Sequence, residues 1–346
     1  MPALTLKKFS LYIFILVLIC AGLILLIPSF KRDKGKFVYF KSRDTPTTCS
    51  CNVLKDNKYT DKSQSGMNKA FTKTVIVEKE ILKLNKRRVG ADDRRLVQLI
   101  RDYYLVTPSN FPYRLNYPGA LDNSRGQAPF VDSRLHYKEK GFYVESGAYD
   151  GETLSNTLMF ERMRNWDGVL IEPNPAAFAK LIKKNRRSYA INACLSTEPY
   201  PSKKMITDDF LQARTFPQKS SKKRKTNKKS FLVQCFPLYS ILLALNYTTI
   251  DYLSLDVEGG ERGVLETIPW DKVNIEIMSV EYDKWPGGSR SLCKYMNNKG
   301  YECLVTMSGK FISDVILKKK PARKRGLRNA TSNNRHKNGS ISAINK

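Results

Sequence analysis

Apolar positions fall into three regimes along the chain. Residues 9–28 form one unbroken apolar run without a charge, long enough to cross a bilayer at about 1.5 Å per residue. Residues 29–90 are polar and basic with little periodicity, the pattern of a solvated stalk, although the stretch around Val75–Leu84 can form a helix. From Ala91 a regular alternation sets in. Leu96, Leu99, Ile100 and Tyr103 share one helical face, and Asp92 and Asp93 suit the start of that helix. The stretch that follows, to Lys140, is rich in proline, glycine and aromatics and is expected to lie across a pocket.

Strand-like runs then alternate with helical periods. The pattern predicts strand 142–146, helix 151–164, strand 168–172, helix 175–186 and strand 188–194. After an interruption come Phe231–Phe236, a helix through Leu245, strand 251–257, helix 260–268, strand 273–282, helix 289–299 and strands 301–307 and 311–318. In helix 175–186, Phe178, Leu181 and Ile182 form the inward stripe, with Lys180, Lys183 and Lys184 outward. Seven strands ending in an antiparallel hairpin, with helices on both faces, make an α/β fold.

Charge changes this picture at the margins. The formal net charge is +28, which points to anionic partners or solvated basic segments. Part of it sits in the insertion 197–230, whose run Lys219–Lys229 reads as an exposed loop, and part in the tail 319–346, which contains no acid and is expected to be disordered. The chain therefore divides into a short tail 1–8, a span 9–28, a stalk 29–90, a domain 91–318 and the basic tail. The span ends in Ile27-Pro-Ser-Phe-Lys-Arg rather than a small-residue cleavage site, so it reads as an uncleaved anchor.

Orientation is contested by the residues themselves. Lys31, Arg32, Lys34 and Lys36 outnumber Lys7 and Lys8 across the span, which favours a cytosolic carboxyl side. Six cysteines beyond the span and glycosylation sequons at Asn246, Asn329 and Asn338 favour a lumen. Cys49 and Cys51 are too close for an easy mutual disulfide. Cys194 and Cys235 flank the insertion and are expected to bond at its base; Cys293 and Cys303 form a second pairing that can coexist, and buried thiols are the alternative.

Three strand ends carry the chemistry. Glu145 stands at the exit of strand 142–146, followed by Gly147, expected to let the backbone approach a ligand, and Gly151, expected to relieve crowding where a helix begins. Glu172 ends the next strand at the spacing of one strand–helix–strand unit, where an acid suits the two hydroxyls of a ribose. Asp251–Glu261 repeats the form with Asp256 and Glu258. The Gly-x-Gly-x-x-Gly signature of dinucleotide sites is absent, and the pattern looks instead like S-adenosylmethionine binding. His136 reads as structural.

The motifs Glu145-Ser-Gly-Ala-Tyr-Asp-Gly151, Leu170-Ile-Glu-Pro-Asn-Pro175 and Leu255-Asp-Val-Glu-Gly-Gly-Glu261 resemble those of the FkbM methyltransferase family. Flanking phrases, Gly126-Gln-Ala, Ser155-Asn156, Lys184-Asn-Arg186 and Ala193-Cys-Leu-Ser196, resemble its animal, Star-like branch. The family resemblance implies a class I methyltransferase (Rossmann-like) fold with S-adenosylmethionine as cofactor. It places Glu145, Gly147, Ala148, Tyr149, Asp150 and Gly151 against the cofactor at the first strand end, and Glu172, Pro173 and Asn174 at the second. Asp256 and Glu258 would face the methyl group and acceptor, with either as base or both holding a divalent metal, while Glu261 caps a helix. The branch implies a single-pass type II protein of endoplasmic reticulum, Golgi or endosome membranes with its domain in the lumen. Its first implied role is trafficking of protein cargo, with O-methyl transfer the alternative. A third reading, binding of anionic glycan or nucleic acid through the basic loop and tail, is disfavoured for nucleic acid by the membrane span.

Overall fold

The computed structural model describes residues 75–207, 215–216 and 230–321. The apolar run 9–28, Cys49 and Cys51, the basic run 219–229, and Asn329 and Asn338 lie outside the described residues. Among the described residues no helix is long and apolar enough to cross a membrane.

Ordered structure begins ahead of Ala91. Helix α1 (75–87) belongs to the domain, because Ile81 and Leu84 are fully buried in the same core as Leu96, Leu99 and Ile100. Those three lie on α2 (Arg94–Tyr103), which Asp93 caps by accepting from the N–H groups of Arg95 and Leu96. Tyr103, expected to face inward, is 47% exposed.

The main sheet has eight strands rather than seven. It comprises β1 (Leu105–Val106), β2 (Phe142–Ser146), β3 (Asp167–Ile171), β4 (Tyr189–Ile191), β9 (Thr249–Leu255), β10 (Asn274–Glu281), β11 (Tyr301–Gly309) and β12 (Ile312–Lys319), in the order β1-β4-β3-β2-β9-β10-β12-β11. The extra strand is β1, a two-residue antiparallel edge on β4 too short to leave a periodic signal. The five strands from β4 to β10 run parallel, and β12 enters antiparallel between β10 and β11. This is a class I methyltransferase-like mixed sheet. Side chains alternate between two cores: Phe142 and Val144 pack on one face and Tyr143 on the other. The chain winds outward from β2 to β4 and then returns to lay β9 on the other side of β2. That reversal opens a crevice at the carboxyl ends of β2 and β9.

A second, four-stranded sheet takes two of its strands from the insertion expected to be a loop. Its strands are β5 (Cys194–Leu195), β6 (Ser202–Thr207), β7 (Thr215–Phe216) and β8 (Ser230–Phe236), in the order β5-β8-β6-β7. The expected strand 188–194 is thus two strands in different sheets. Cys194 and Cys235 stand opposite each other in the β5–β8 register and are disulfide-bonded; Cys293 and Cys303 form a second disulfide.

The helices are shorter than their periodicity suggests. Positive φ at Tyr149, Gly151 and Leu154 turns the backbone out of helical geometry, so helix 151–164 shrinks to α4 (Leu158–Met163) after α3 (Gln127–Arg134). Helix 175–186 ends early as α5 (Pro175–Ile182), with Ala177 and Leu181 inward and Ile182 38% exposed. Lys184, expected outside, is buried with its ammonium 2.5 Å from Glu152. The remaining helices are α6 (Leu238–Leu245), α7 (Glu261–Thr267) and α8 (Gly288–Asn297).

The 105–140 stretch does not cross the crevice. Glu152 accepts from the N–H groups of Asn116 and Tyr117 at 2.7 and 2.6 Å, and Arg162 donates to the carbonyls of Pro118 and Ala120. None of its residues lines the cavity described next.

Candidate active site

The first strand end is built by Glu145, which is 3% exposed. One carboxylate oxygen accepts from the N–H of Asn156 at 2.7 Å; the other accepts from the hydroxyls of Ser155 and Thr157 at 2.9 and 2.5 Å. Burial raises its pKa while Arg186 and these donors oppose the rise. Its visible work is to hold the turn that leads into α4. Gly147 has φ +87°, and a Cβ there would come within 2.2 Å of the Asp256 carbonyl oxygen. Glycine is required by the close passage of the chain leaving β9, a different reason from ligand approach. Asp150 caps its own turn by accepting from the N–H groups of Glu152 and Thr153 at 3.0 and 2.7 Å.

Glu172 follows β3. Its oxygens accept from the N–H groups of Tyr149 at 2.8 Å and Asn174 at 2.7 Å, tying the two turns together. Asn174 in turn caps α5 through Ala176 and Ala177. Burial pushes the Glu172 carboxyl up to about 7 in spite of those two donors.

At the third strand end, the Asp256 N–H donates to the Ser146 carbonyl at 3.1 Å, locking β9 to β2 beyond the sheet. The Asp256 side chain opens onto the cavity. It is hemmed in on its protein side, and its pKa lies well above the usual carboxylate range, through burial first and then the charges of Glu258, Asp314 and Glu261. Glu258 adopts φ 59° and is ion-paired with Lys284; burial raises its pKa against that lysine. Glu261 accepts from the N–H groups of Val257 at 2.9 Å and Gly259 at 3.0 Å, as a helix-start cap does.

Glu281, the last residue of β10, joins them, and sequence reading missed it. Its Oε2 is buried without a hydrogen-bond partner among the described residues, and burial, then Asp256, Glu261 and Glu258, raise its pKa strongly. The signal was available: it is one more acid at the exit of a parallel strand. Oxygens of Asp256, Glu261 and Glu281 lie within 4.8 Å of one another. These are ligands of the kind a hard divalent cation takes, but Glu261 already spends both oxygens on backbone donors. Asp256 and Glu281 remain, close enough that the charge of each disfavours ionisation of the other.

One cavity joins these parts. Of the expected site residues it is lined by Glu145, Gly147, Tyr149, Glu172, Pro173, Asn174, Asp256 and Glu258, together with Leu195, Thr197 and Ile206 around the second sheet. Ala148, Asp150 and Gly151 shape the turn without reaching the cavity wall. One part of the cavity thus offers Glu172, and another Asp256 and Glu258, the latter ion-paired with Lys284.

Solved structures that resemble the chain include the methyltransferase FkbM from Methylobacillus flagellatus KT, 14% identical with TM-score 0.34, covering 52% of this chain and 43% of that one. The chain therefore spans less than half of that protein. A putative RNA methyltransferase from Pyrococcus horikoshii is 12% identical with TM-score 0.34, covering 66% and 98%. A 1,6-didemethyltoxoflavin-N1-methyltransferase from Burkholderia thailandensis, solved with S-adenosylhomocysteine, is 8% identical with TM-score 0.31, covering 60% and 82%. No curated protein matches the chain by sequence. The cavity's three strand-end acids, and Glu281 with them, fall within residues 145–303, which match the family model of the methyltransferase FkbM domain.

Proposed function

We propose that the domain is an S-adenosylmethionine-dependent O-methyltransferase of the FkbM type. The observation that carries this reading is the cavity at the β2–β9 reversal, lined together by Glu145 of β2, Glu172 just after β3 and Asp256 just after β9. Glu172, fixed by the Tyr149 and Asn174 N–H groups, keeps lone pairs for the ribose hydroxyls, and its proton leaves as they bind. When bound, the cofactor supplies a methyl group already activated on a sulfonium, so the protein needs only to orient the acceptor and take its proton. Asp256, with Glu281 close by, is the group to receive the proton of an acceptor hydroxyl, since the acids crowded around it raise its affinity for a proton. Glu258 and Lys284 flank it and fix the local charge.

Calorimetry with S-adenosylmethionine tests the reading. Saturable binding by the wild type, weakened ~10-fold or more by Glu172→Ala, is expected; a silent titration of folded protein at millimolar ligand rejects it.

Membrane anchoring in the secretory pathway, with the domain lumenal, is a further proposal from the sequence. The two disulfides support it, since such bonds persist in oxidising compartments. Protease protection of a carboxyl-terminal epitope in sealed microsomes checks it. The Star-like branch, and the cargo-trafficking role it implies, rest on the flanking phrases alone.

A further inference from the structure

The second sheet is part of the pocket wall. Cys194, Leu195 and Thr197 of the β5 segment and Ile206 of β6 all line the cavity. This wall is thinly held. β5 is two residues long and pairs only Cys194 with Cys235 and Leu195 with Phe236, extended by one hydrogen bond from the Ser196 N–H to the Phe236 carbonyl at 2.8 Å. Behind it lies a small apolar cluster of its own, Cys194, Ile206, Val233 and Cys235 with Phe231 against it, separate from the two large cores. Leu195 is itself set in the main core, so the weakly held side of the wall is Cys194 with Ile206, where a cluster that small contributes little burial. The disulfide runs through its centre and covalently joins the wall to β8, whose far end, Phe236, is anchored in the main core. On the opposite flank, Thr197 packs so tightly on α7 that a Cβ at Gly263 would lie 2.6 Å from its own. Leu195 and Thr197 therefore seat one side of the wall, and the Cys194–Cys235 bond ties the Cys194 and Ile206 side to β8.

We infer that the Cys194–Cys235 disulfide is a redox control on ligand binding: the pocket holds its ligand tightly with the bond closed and loosely with it open. The inference rests on the S-adenosylmethionine reading for the identity of the ligand. Opening requires a thiol reductant, which supplies two electrons and two protons; the S–S bond is replaced by two S–H groups and the reductant leaves as its own disulfide. With the wall in place for only a fraction of the time, apparent affinity drops by that fraction. Cys293–Cys303 serves as an internal control, because it joins α8 to β11 and neither cysteine lines the cavity.

The test is calorimetry of the full chain with S-adenosylhomocysteine in four states: oxidised wild type, wild type in dithiothreitol, Cys194→Ser/Cys235→Ser, and Cys293→Ser/Cys303→Ser. The expected result is ~10-fold or greater weakening in the reduced wild type and the first double variant, with the second double variant within ~2-fold of oxidised wild type. Equal affinity in a cooperatively melting Cys194→Ser/Cys235→Ser protein overturns the inference and leaves the cofactor reading standing. If that variant does not melt cooperatively, Ile206→Ala with the bond intact reads the same wall: several-fold weakening supports the inference, and unchanged affinity overturns it. No binding by oxidised wild type overturns both readings together.

Discussion

Two sets of acids in this domain, one fully buried and one at the cavity, have opposite surroundings. Glu161 sits beneath the first turn with its Oε2 2.9 Å from the Arg186 guanidinium and 2.6 Å from the Tyr143 hydroxyl, and its Oε1 accepts from the Arg187 N–H. Burial works against its charge, but Arg186, Ser188 and Tyr143 outweigh it and hold the pKa below the ordinary value. Asp256 and Glu281 are crowded by other acids instead, and the nearby cation, Lys284, is committed to Glu258. The first arrangement spends its charges on architecture. The second crowds carboxyls together at the edge of a cavity, so that each disfavours the charge of the other, the pattern of a candidate functional site.

Breaking the balanced side has the largest expected effect. Arg186→Met strands Glu161, and its cost to stability in urea denaturation is ~3–5 kcal/mol. Removing a charge from the unbalanced side acts the other way. Asp256→Asn is expected to raise the melting temperature and to preserve S-adenosylhomocysteine binding. Transfer of labelled methyl groups from S-adenosylmethionine to a hydroxyl acceptor should meanwhile fall ~100-fold or more. A less stable Asp256→Asn protein would contradict the contrast.

Glu172 is intermediate, satisfied by two donors yet raised from 4.5 to about 7. The folded state keeps its proton longer than the unfolded chain does, so this group's contribution to unliganded stability falls as pH rises from 4.5 to about 7. Ligand binding has the opposite slope, because the ionised acid accepts the ribose hydroxyls. Affinity for S-adenosylhomocysteine should weaken by up to ~10-fold per pH unit below pH 7, and Glu172→Gln should bind weakly with that slope removed. The smallest effect belongs to the surface: Arg262→Ala breaks the exposed pair with Glu266 and should change stability by less than ~0.5 kcal/mol in the same denaturation assay.

The same contrast explains what could be read from the chain. Strands β2, β3 and β9 were legible because parallel strands covered on both faces are continuously apolar, and each ends in an acid that interrupts the run. Arg186 and Lys184 were not, since an isolated basic residue after a helix looks like a solvated one until Glu161 and Glu152 are brought to it by the fold. The second sheet was hidden for a related reason. Ser202-Lys-Lys-Met-Ile-Thr207 reads as polar loop, and its partner β8 lies beyond the basic run, so only long-range pairing makes it a strand. Helix α4 was overdrawn because Thr153–Asn156 carries no breaker visible in composition; Leu154 adopts positive φ in a loop whose hydroxyls and N–H groups are claimed by Glu145.

Helix α1 decides where the domain can be cut. A recombinant fragment started at residue 91, the boundary that periodicity suggests, would omit Ile81 and Leu84 and leave bare the patch they cover around Leu96 and Ile100. It would also delete Asn85, whose amide exchanges hydrogen bonds with Gln234 at 2.9 and 3.1 Å, and Glu78, which pairs with Lys203. Gln234 precedes Cys235 and Lys203 lies on β6, so the lost helix braces the sheet that walls the pocket. Such a fragment should express as an aggregating, ligand-blind protein, and its failure would say nothing about the intact chain. Purification for any binding assay should therefore keep the chain from before residue 75.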